Sequence, residues 1–144
     1  MIVIGRRDRI DLPALGYSNI KAKIDTGAYG NALHCTNIEV NRKNDKDILS
    51  FTLFDSDYPK YRNKKQYFEV FTDKIVKNSG GDTEHRYTIE TDIIYFGQKI
   101  HAEFSLTDRR EMKYPILLGR KFLRKRFLVD VSLKDVSYKQ KQTK

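Results

Sequence analysis

Between positions 86 and 106 the chain alternates apolar and polar residues with a period of two, a pattern that admits sheet and little else. Tyr87, Ile89, Thr91 and Ile93 fall on one side of a strand over 86–96, opposite Thr88, Glu90 and Asp92. Ile100, Ala102, Phe104 and Leu106 repeat the pattern over 99–106, opposite His101, Glu103 and Ser105. Gly97-Gln98 supplies the tight turn of a hairpin between them. Segments 49–54 and 67–72 read as a further strand pair. The polar stretch 55–66 between them, with Pro59 and the basic residues Lys60, Arg62, Lys64 and Lys65, reads as a loop. Helical character is confined to 119–126, about two turns. With no internal repeat and no linker, the expectation is one all-β domain over 4–138 with a single short C-terminal helix. The polar basic run 139–144 is expected to be a disordered tail.

Composition narrows the setting. An apolar fraction of 39%, with nine Tyr and eight Phe in 144 residues, suffices for a modest core. No apolar run is long enough to cross a bilayer, and Met1–Gly5, followed directly by Arg6 and Arg7, is too short for a signal-peptide apolar region. A single cysteine, Cys35, excludes an intrachain disulfide and reads as a buried, inert thiol, so a cytoplasmic location is expected. Lys and Arg outnumber Asp and Glu by 28 to 19, a net charge of +9. Arg109, Arg110, Lys113, Arg120, Lys121, Arg124, Lys125 and Arg126 crowd one segment that holds a single acid, Glu111. Such a surface is either simply solvated or attracts an acidic polypeptide or nucleic acid. Tyr58, Tyr61 and Tyr67 lie among basic residues, but no recognition-helix or RNP-like pattern accompanies them, so nucleic acid is not the expected partner.

The chemistry-bearing segment is Ile24-Asp25-Thr26-Gly27-Ala28, which follows a short strand pattern. An Asp-x-Gly between strands is ordinarily a turn. An Asp at a strand end followed by a hydroxyl residue and Gly can also hold its carboxylate against backbone N–H groups, with Gly27 permitting close approach of another backbone. Two such carboxylates brought together share a proton and can activate water. The chain has only one Asp-Thr-Gly, so the second carboxylate would come from a second copy.

A second block, Tyr114-Pro-Ile-Leu-Leu-Gly-Arg-Lys-Phe-Leu123, gives the loop its context. Together the two blocks resemble the retropepsin-like aspartic peptidases, in which Asp-Thr-Gly-Ala is followed by a flap hairpin and then by an apolar-apolar-Gly-Arg run that opens the only helix. The resemblance is closest to the bacterial branch that has carried the label ATP-dependent zinc protease. It rests on Ile4-Gly5-Arg6-Arg7, Leu12-Pro13-x-Leu15-Gly16, Ile20–Ala28 and Ala32-Leu33-His34. In the C-terminal half it rests on Ser105-Leu106-x-x-Arg109, Met112-x-x-Pro115, Leu117-Leu118-Gly119-Arg120-x-x-Leu123 and Phe127-x-Val129-Asp130. Many relatives carry Arg-Thr-Ser where this chain has Tyr29-Gly30-Asn31.

The resemblance implies a closed retropepsin-like β-barrel and a homodimer in which two Asp25 carboxyls form the catalytic dyad for peptide-bond hydrolysis. Thr26 would hydrogen-bond across the two-fold axis, Gly27 would offer its N–H to the carboxylates, and Ala28 would keep the floor of the site small. Tyr29 and Asn31 would line substrate subsites, and Ser79-Gly80-Gly81 would form the tip of the flap. Gly119 and Arg120 would be structural support, with Arg120 pairing with a carboxylate or carbonyl near the catalytic loop. Related peptidases accompany ATP-grasp enzymes that add glutamate to proteins, which implies acidic, glutamate-rich substrates. Charge recognition would then fall on Arg109, Arg110 or Lys77. Neither zinc nor ATP is expected as cofactor: His34, His85 and His101 form no His-x-x-x-His pair, and there is no phosphate-binding Gly-x-x-x-x-Gly-Lys run. The competing expectation is a catalytically silent basic binding module on the same fold.

Overall fold

The computed structural model describes residues 1–77, 79–108, 110 and 113–143. The chain opens on β1 (Ile2–Ile4) and β2 (Arg7–Leu12) and passes through one 3-10 turn at Pro13–Leu15 into β3 (Tyr17–Ile24). After loop 25–30 come β4 (Asn31–Lys43), β5 (Lys46–Leu53) and β6 (Lys65–Phe68). The hairpin of β7 (Thr72–Lys77) and β8 (Thr83–Tyr95) leads to β9 (Gln98–Thr107) and β10 (Ile116–Leu118). Helix α1 (Arg120–Leu123), β11 (Phe127–Val129) and α2 (Val136–Gln142) complete the fold.

Six strands close a mixed barrel in the order β10-β3-β2-β8-β9-β4, with β4 meeting β10 again. Strand β10 is the closing piece. It runs parallel to β3, with Ile116 opposite Ala22 and Leu118 opposite Ile24, and antiparallel to β4, with Ile116 opposite Leu33. The expected all-β closed barrel is therefore present. Its interior is filled from alternate positions, including Ile10, Ile20, Ala22, Leu33, Ile89, Ile93, Phe104 and Ile116, each at most 1% exposed. Cys35 is buried among them, and burial pushes its thiol well above the usual range.

Several local features differ from the sequence expectation. The β8–β9 turn falls on Phe96-Gly97, with φ of 53° and 70°, and Tyr95 pairs with Gln98. Two consecutive positive φ values match the right-handed twist of the flanking strands, so the turn sits one residue earlier than Gly97-Gln98. The expected strand over 67–72 is divided: β6 pairs with β5 and ends at Phe68, and β7 begins at Thr72 as the partner of β8. Helix α1 spans a single turn rather than 119–126, because Arg124 is extended and Lys125 takes a left-handed φ of 65°.

Residues 139–142, expected in a disordered tail, continue α2, whose first amides are received by a buried carboxylate; Lys144 lies outside the described residues. Ser137 N and Tyr138 N donate to Asp8 on β2, at 2.9 and 3.1 Å. Asp8 is 1% exposed and also accepts from Tyr95 Oη and Arg9 N. Those donors satisfy a buried charge that would otherwise be costly. Ser137 Oγ accepts from Phe96 N, and the Arg9 guanidinium lies 4.2 Å from the Tyr138 ring centroid. Burial, and after it the nearby Asp8 carboxylate, holds the Tyr95 phenol far above its ordinary range.

Candidate active site

Loop 25–30 is held from both sides by the strands that close the barrel. Ile24 N donates to Arg6 O and Asp25 N to Leu118 O, both at 2.9 Å, which fixes Asp25 at the end of β3 beside the end of β10. The chain then turns on the aspartate itself. Gly27 N donates to Asp25 Oδ1 at 3.0 Å, and Ala28 N donates to Asp25 O at 3.3 Å. The carboxylate is half-buried, while Thr26, Gly27, Tyr29 and Gly30 are exposed and Ala28 is half-buried.

Helix α1 completes the loop through its own unpaired amides. The first N–H groups of any helix lack partners within it. Here Arg120 N donates to Ala28 O and Lys121 N to Tyr29 O, both at 2.8 Å. Gly119 is wedged against the same carbonyls: a Cβ on it would lie 2.3 Å from Gly30 O and 2.7 Å from Tyr29 O. Only a residue without a side chain admits that approach. The Arg120 side chain adds a third tie, Nη1 donating to Thr26 O at 3.0 Å.

Asn31, expected to line a subsite, makes two hydrogen bonds within the fold. It is buried, its Oδ1 accepts from Gly119 N, and its Nδ2 donates to Glu103 O, both at 2.9 Å. Its amide thus joins β4, β9 and the Gly119 turn. Tyr29 is 54% exposed and lies open beside the loop. Ser79, Gly80 and Gly81 occupy the turn of the β7–β8 hairpin, where Gly81 takes a φ of +87°; Asn78 falls outside the described residues. Of the three groups proposed for charge recognition, Lys77 is exposed at the end of β7 and Arg110 pairs with Asp108 at 3.8 Å. Arg109 falls outside the described residues.

The three histidines sit in separate places, each against a carboxylate. His34 is buried, with Nε2 2.6 Å from Asp55 Oδ2 and Nδ1 3.3 Å from Thr107 O. The His34 hydrogen bond holds the Asp55 carboxyl below the usual range. His85 faces Asp73 at 2.7 Å, and His101 faces Asp92 at 3.0 Å, chiefly through which it is raised above its ordinary value. Among the described residues no group of three or more His, Cys, Asp or Glu side chains could hold a metal. The buried His34–Asp55 pair and the Asn31–Gly119 bridge are the polar features that sequence reasoning missed. The only hint in the sequence was that both His34 and Asn31 lie just past the aspartate loop.

A closed mixed barrel, an Asp-Thr-Gly turn at the end of β3 and a Gly-Arg turn docked onto it define a retropepsin-like domain. The RimB-like family, described as the retropepsin-like aspartic endopeptidase RimB, matches residues 3–140, and the chain belongs to that family. A probable alpha-L-glutamate ligase from Shewanella pealeana is 33% identical over 134 residues, which is 90% of this chain and 28% of the ligase. Another from Parasynechococcus marenigrum is 32% identical over 129 residues, with the same coverage. The chain thus spans little more than a quarter of the length of these relatives. A crystal structure of a Legionella pneumophila protein of unknown function superposes with a TM-score of 0.69 at 25% identity. It covers 94% of this chain and 98% of that one. No helix among the described residues is long and apolar enough to cross a membrane.

Proposed function

We propose that the protein is an aspartic peptidase that works as a homodimer, hydrolysing acidic, glutamate-rich polypeptides. The observation that carries this reading is the half-buried Asp25 carboxylate, held by Gly27 N–H at the mouth of a docked loop. No hydrogen bond or ion pair among the described residues joins Asp25 to a second carboxyl, so one chain offers half of a dyad. Two copies related by a two-fold axis would bring two such loops together. The pair would hold one proton. Its charged member would take a proton from water as the water oxygen attacks the scissile carbonyl carbon, and its neutral member would donate to the carbonyl oxygen. Collapse of the resulting diol, with a proton passed to the amide nitrogen, would release the two products.

The face for such pairing is suggested by exposed apolar residues. Strands β1 and β11 pair in parallel as a small separate sheet, and Val3 and Leu128, opposite one another in it, are 45% and 54% exposed. Met1 and Val131, close to those strands in sequence, are exposed as well. The sheet adjoins the loop, because Arg6, two residues beyond β1, accepts the Ile24 amide. The substrate class draws support from the net charge of +9 and from relatives that carry this domain within probable alpha-L-glutamate ligases. A lone, buried thiol fits a reducing, cytoplasmic setting.

The test is hydrolysis of a glutamate-rich peptide by the wild-type chain and by Asp25→Asn. The amide keeps the size of the side chain but cannot act as the base, so activity falls by roughly 10²–10⁴-fold while the unfolding midpoint is retained. Undiminished hydrolysis by Asp25→Asn contradicts the reading.

A further inference from the structure

We propose that Arg120 is a specificity-determining residue that receives a carboxylate side chain of the substrate next to the scissile bond, with Tyr29 as its aromatic backing. The inference rests on the peptidase reading above and names the group that would read the acidic substrate.

Arg62 and Arg126, like Arg120, are tied to a backbone carbonyl beside an aromatic ring, but Arg120 alone of the three is tied to the aspartate loop. Its Nη1 is tied to Thr26 O at 3.0 Å, one residue from the Asp25 carboxylate, and its Cζ lies 5.9 Å from the Tyr29 ring centroid. Those two contacts orient the side chain, yet it remains exposed. A guanidinium has five donors in a planar fork, and one of them is used at Thr26. Among the described residues Arg120 has no carboxylate partner. Arg7, Arg42, Arg86 and Arg110 each have one, in Asp135, Asp47, Glu84 and Asp108, whereas Arg62 and Arg126 share the unpaired state of Arg120 at places other than the aspartate loop. A tie to a neutral carbonyl alone leaves the charge unmatched at the rim of the site. A substrate carboxylate would match it and could take two parallel N–H···O bonds from the fork.

The surroundings favour this position over the other cations. Tyr29 stands exposed with its ring beside the guanidinium, which accounts for a large aromatic left open at the loop. Lys121 and Arg126 instead line a neighbouring cleft of about 220 Å³ that is lined by Glu90, Glu103 and His101 as well. The carboxylates there disfavour an incoming acidic side chain. The chain has no basic residue at 29–31, so in the loop region the charge comes from the helix side.

The experiment compares kcat/KM for a glutamate-rich peptide and for the same peptide with glutamine in place of glutamate. Arg120→Gln lowers the glutamate-to-glutamine ratio by at least about tenfold, and Arg120→Lys, a point charge without the fork, lowers it less. Lys125→Gln, an equal loss of charge on the turn after α1, leaves the ratio within about twofold at moderate salt, where exposed charges are screened. An equal loss on both peptides assigns Arg120 a strut role only and overturns the proposal, as does a Lys125 effect as large as that of Arg120. If the wild-type chain cleaves neither peptide, the peptidase reading fails by itself. The present proposal is then decided by calorimetric binding of a penta-glutamate peptide to wild type and Arg120→Lys: a drop in affinity supports it and equal affinity overturns it.

Discussion

At the scale of single residues, the loop is held by two groups outside it, Gly119 and Asn31. Gly119 has an ordinary extended backbone, with φ of −100°, so its requirement is space and not conformation. In Gly119→Ala the new methyl would press on the carbonyls of Ala28, Tyr29 and Gly30, all backbone, and the loop must move. Overpacking of this kind costs about 1–3 kcal/mol. A shift of about 1 Å in Asp25 costs on the order of 10²-fold in rate. The variant is expected to lose far more activity than stability, measured as kcat/KM beside the urea midpoint. A loss confined to stability would mean that the loop tolerates displacement. Asn31 teaches the complementary lesson. Its neighbours Tyr29 and Gly30 are open, and nothing in its residue type announces an amide that bridges Gly119 and Glu103.

At the scale of elements, long-range polar contacts decide what local pattern leaves open. The buried His34–Asp55 pair joins β4 to the segment after β5 and makes the fold sensitive to acid. Asp55 is held below its ordinary value of 3.8, first by the His34 hydrogen bond. A carboxyl depressed in the folded state adds stability that is fully present above the unfolded value and is lost as pH falls through the folded one. Urea midpoints measured from neutral pH down through that window should therefore fall for wild type, and fall less steeply for Asp55→Asn. Parallel pH profiles would remove the pair from the account. Helix α2 shows the same dependence on distant partners. Its composition reads as a solvated tail, and only Asp8, buried on β2, supplies the acceptor for its first amides. Truncation before Val136 removes two of the donors to that carboxylate, Ser137 N and Tyr138 N, and the protein is expected to unfold about 1–3 kcal/mol more easily. An unchanged midpoint would mean that α2 contributes nothing to the barrel.

The same reasoning explains what was legible in the chain before its structure. Strands β8 and β9 were readable because each has one wet face, and period-two burial writes itself into Ile89, Ile93, Ala102, Phe104 and Leu106. The aspartate loop and the Gly-Arg turn were readable through their joint resemblance to the retropepsin-like pattern, since Asp-Thr-Gly alone reads as an ordinary turn. Their docking was not, since it runs through main-chain carbonyls that any sequence possesses. The one-residue error at the β8–β9 turn has a similar cause: Phe96 takes a positive φ that its residue type does not advertise.

At the scale of the whole molecule, the central claim is that one chain holds half of a catalytic site and a second copy supplies the rest. The most direct measurement mixes wild-type chain with Asp25→Asn at fixed total concentration and lets subunits exchange before peptide hydrolysis is assayed. If both Asp25 carboxyls are needed, only pairs of wild-type chains are active, and an equal mixture retains about one quarter of the wild-type activity. Activity of about one half, falling in proportion to the wild-type fraction, would show that a single chain is sufficient and would contradict the shared dyad.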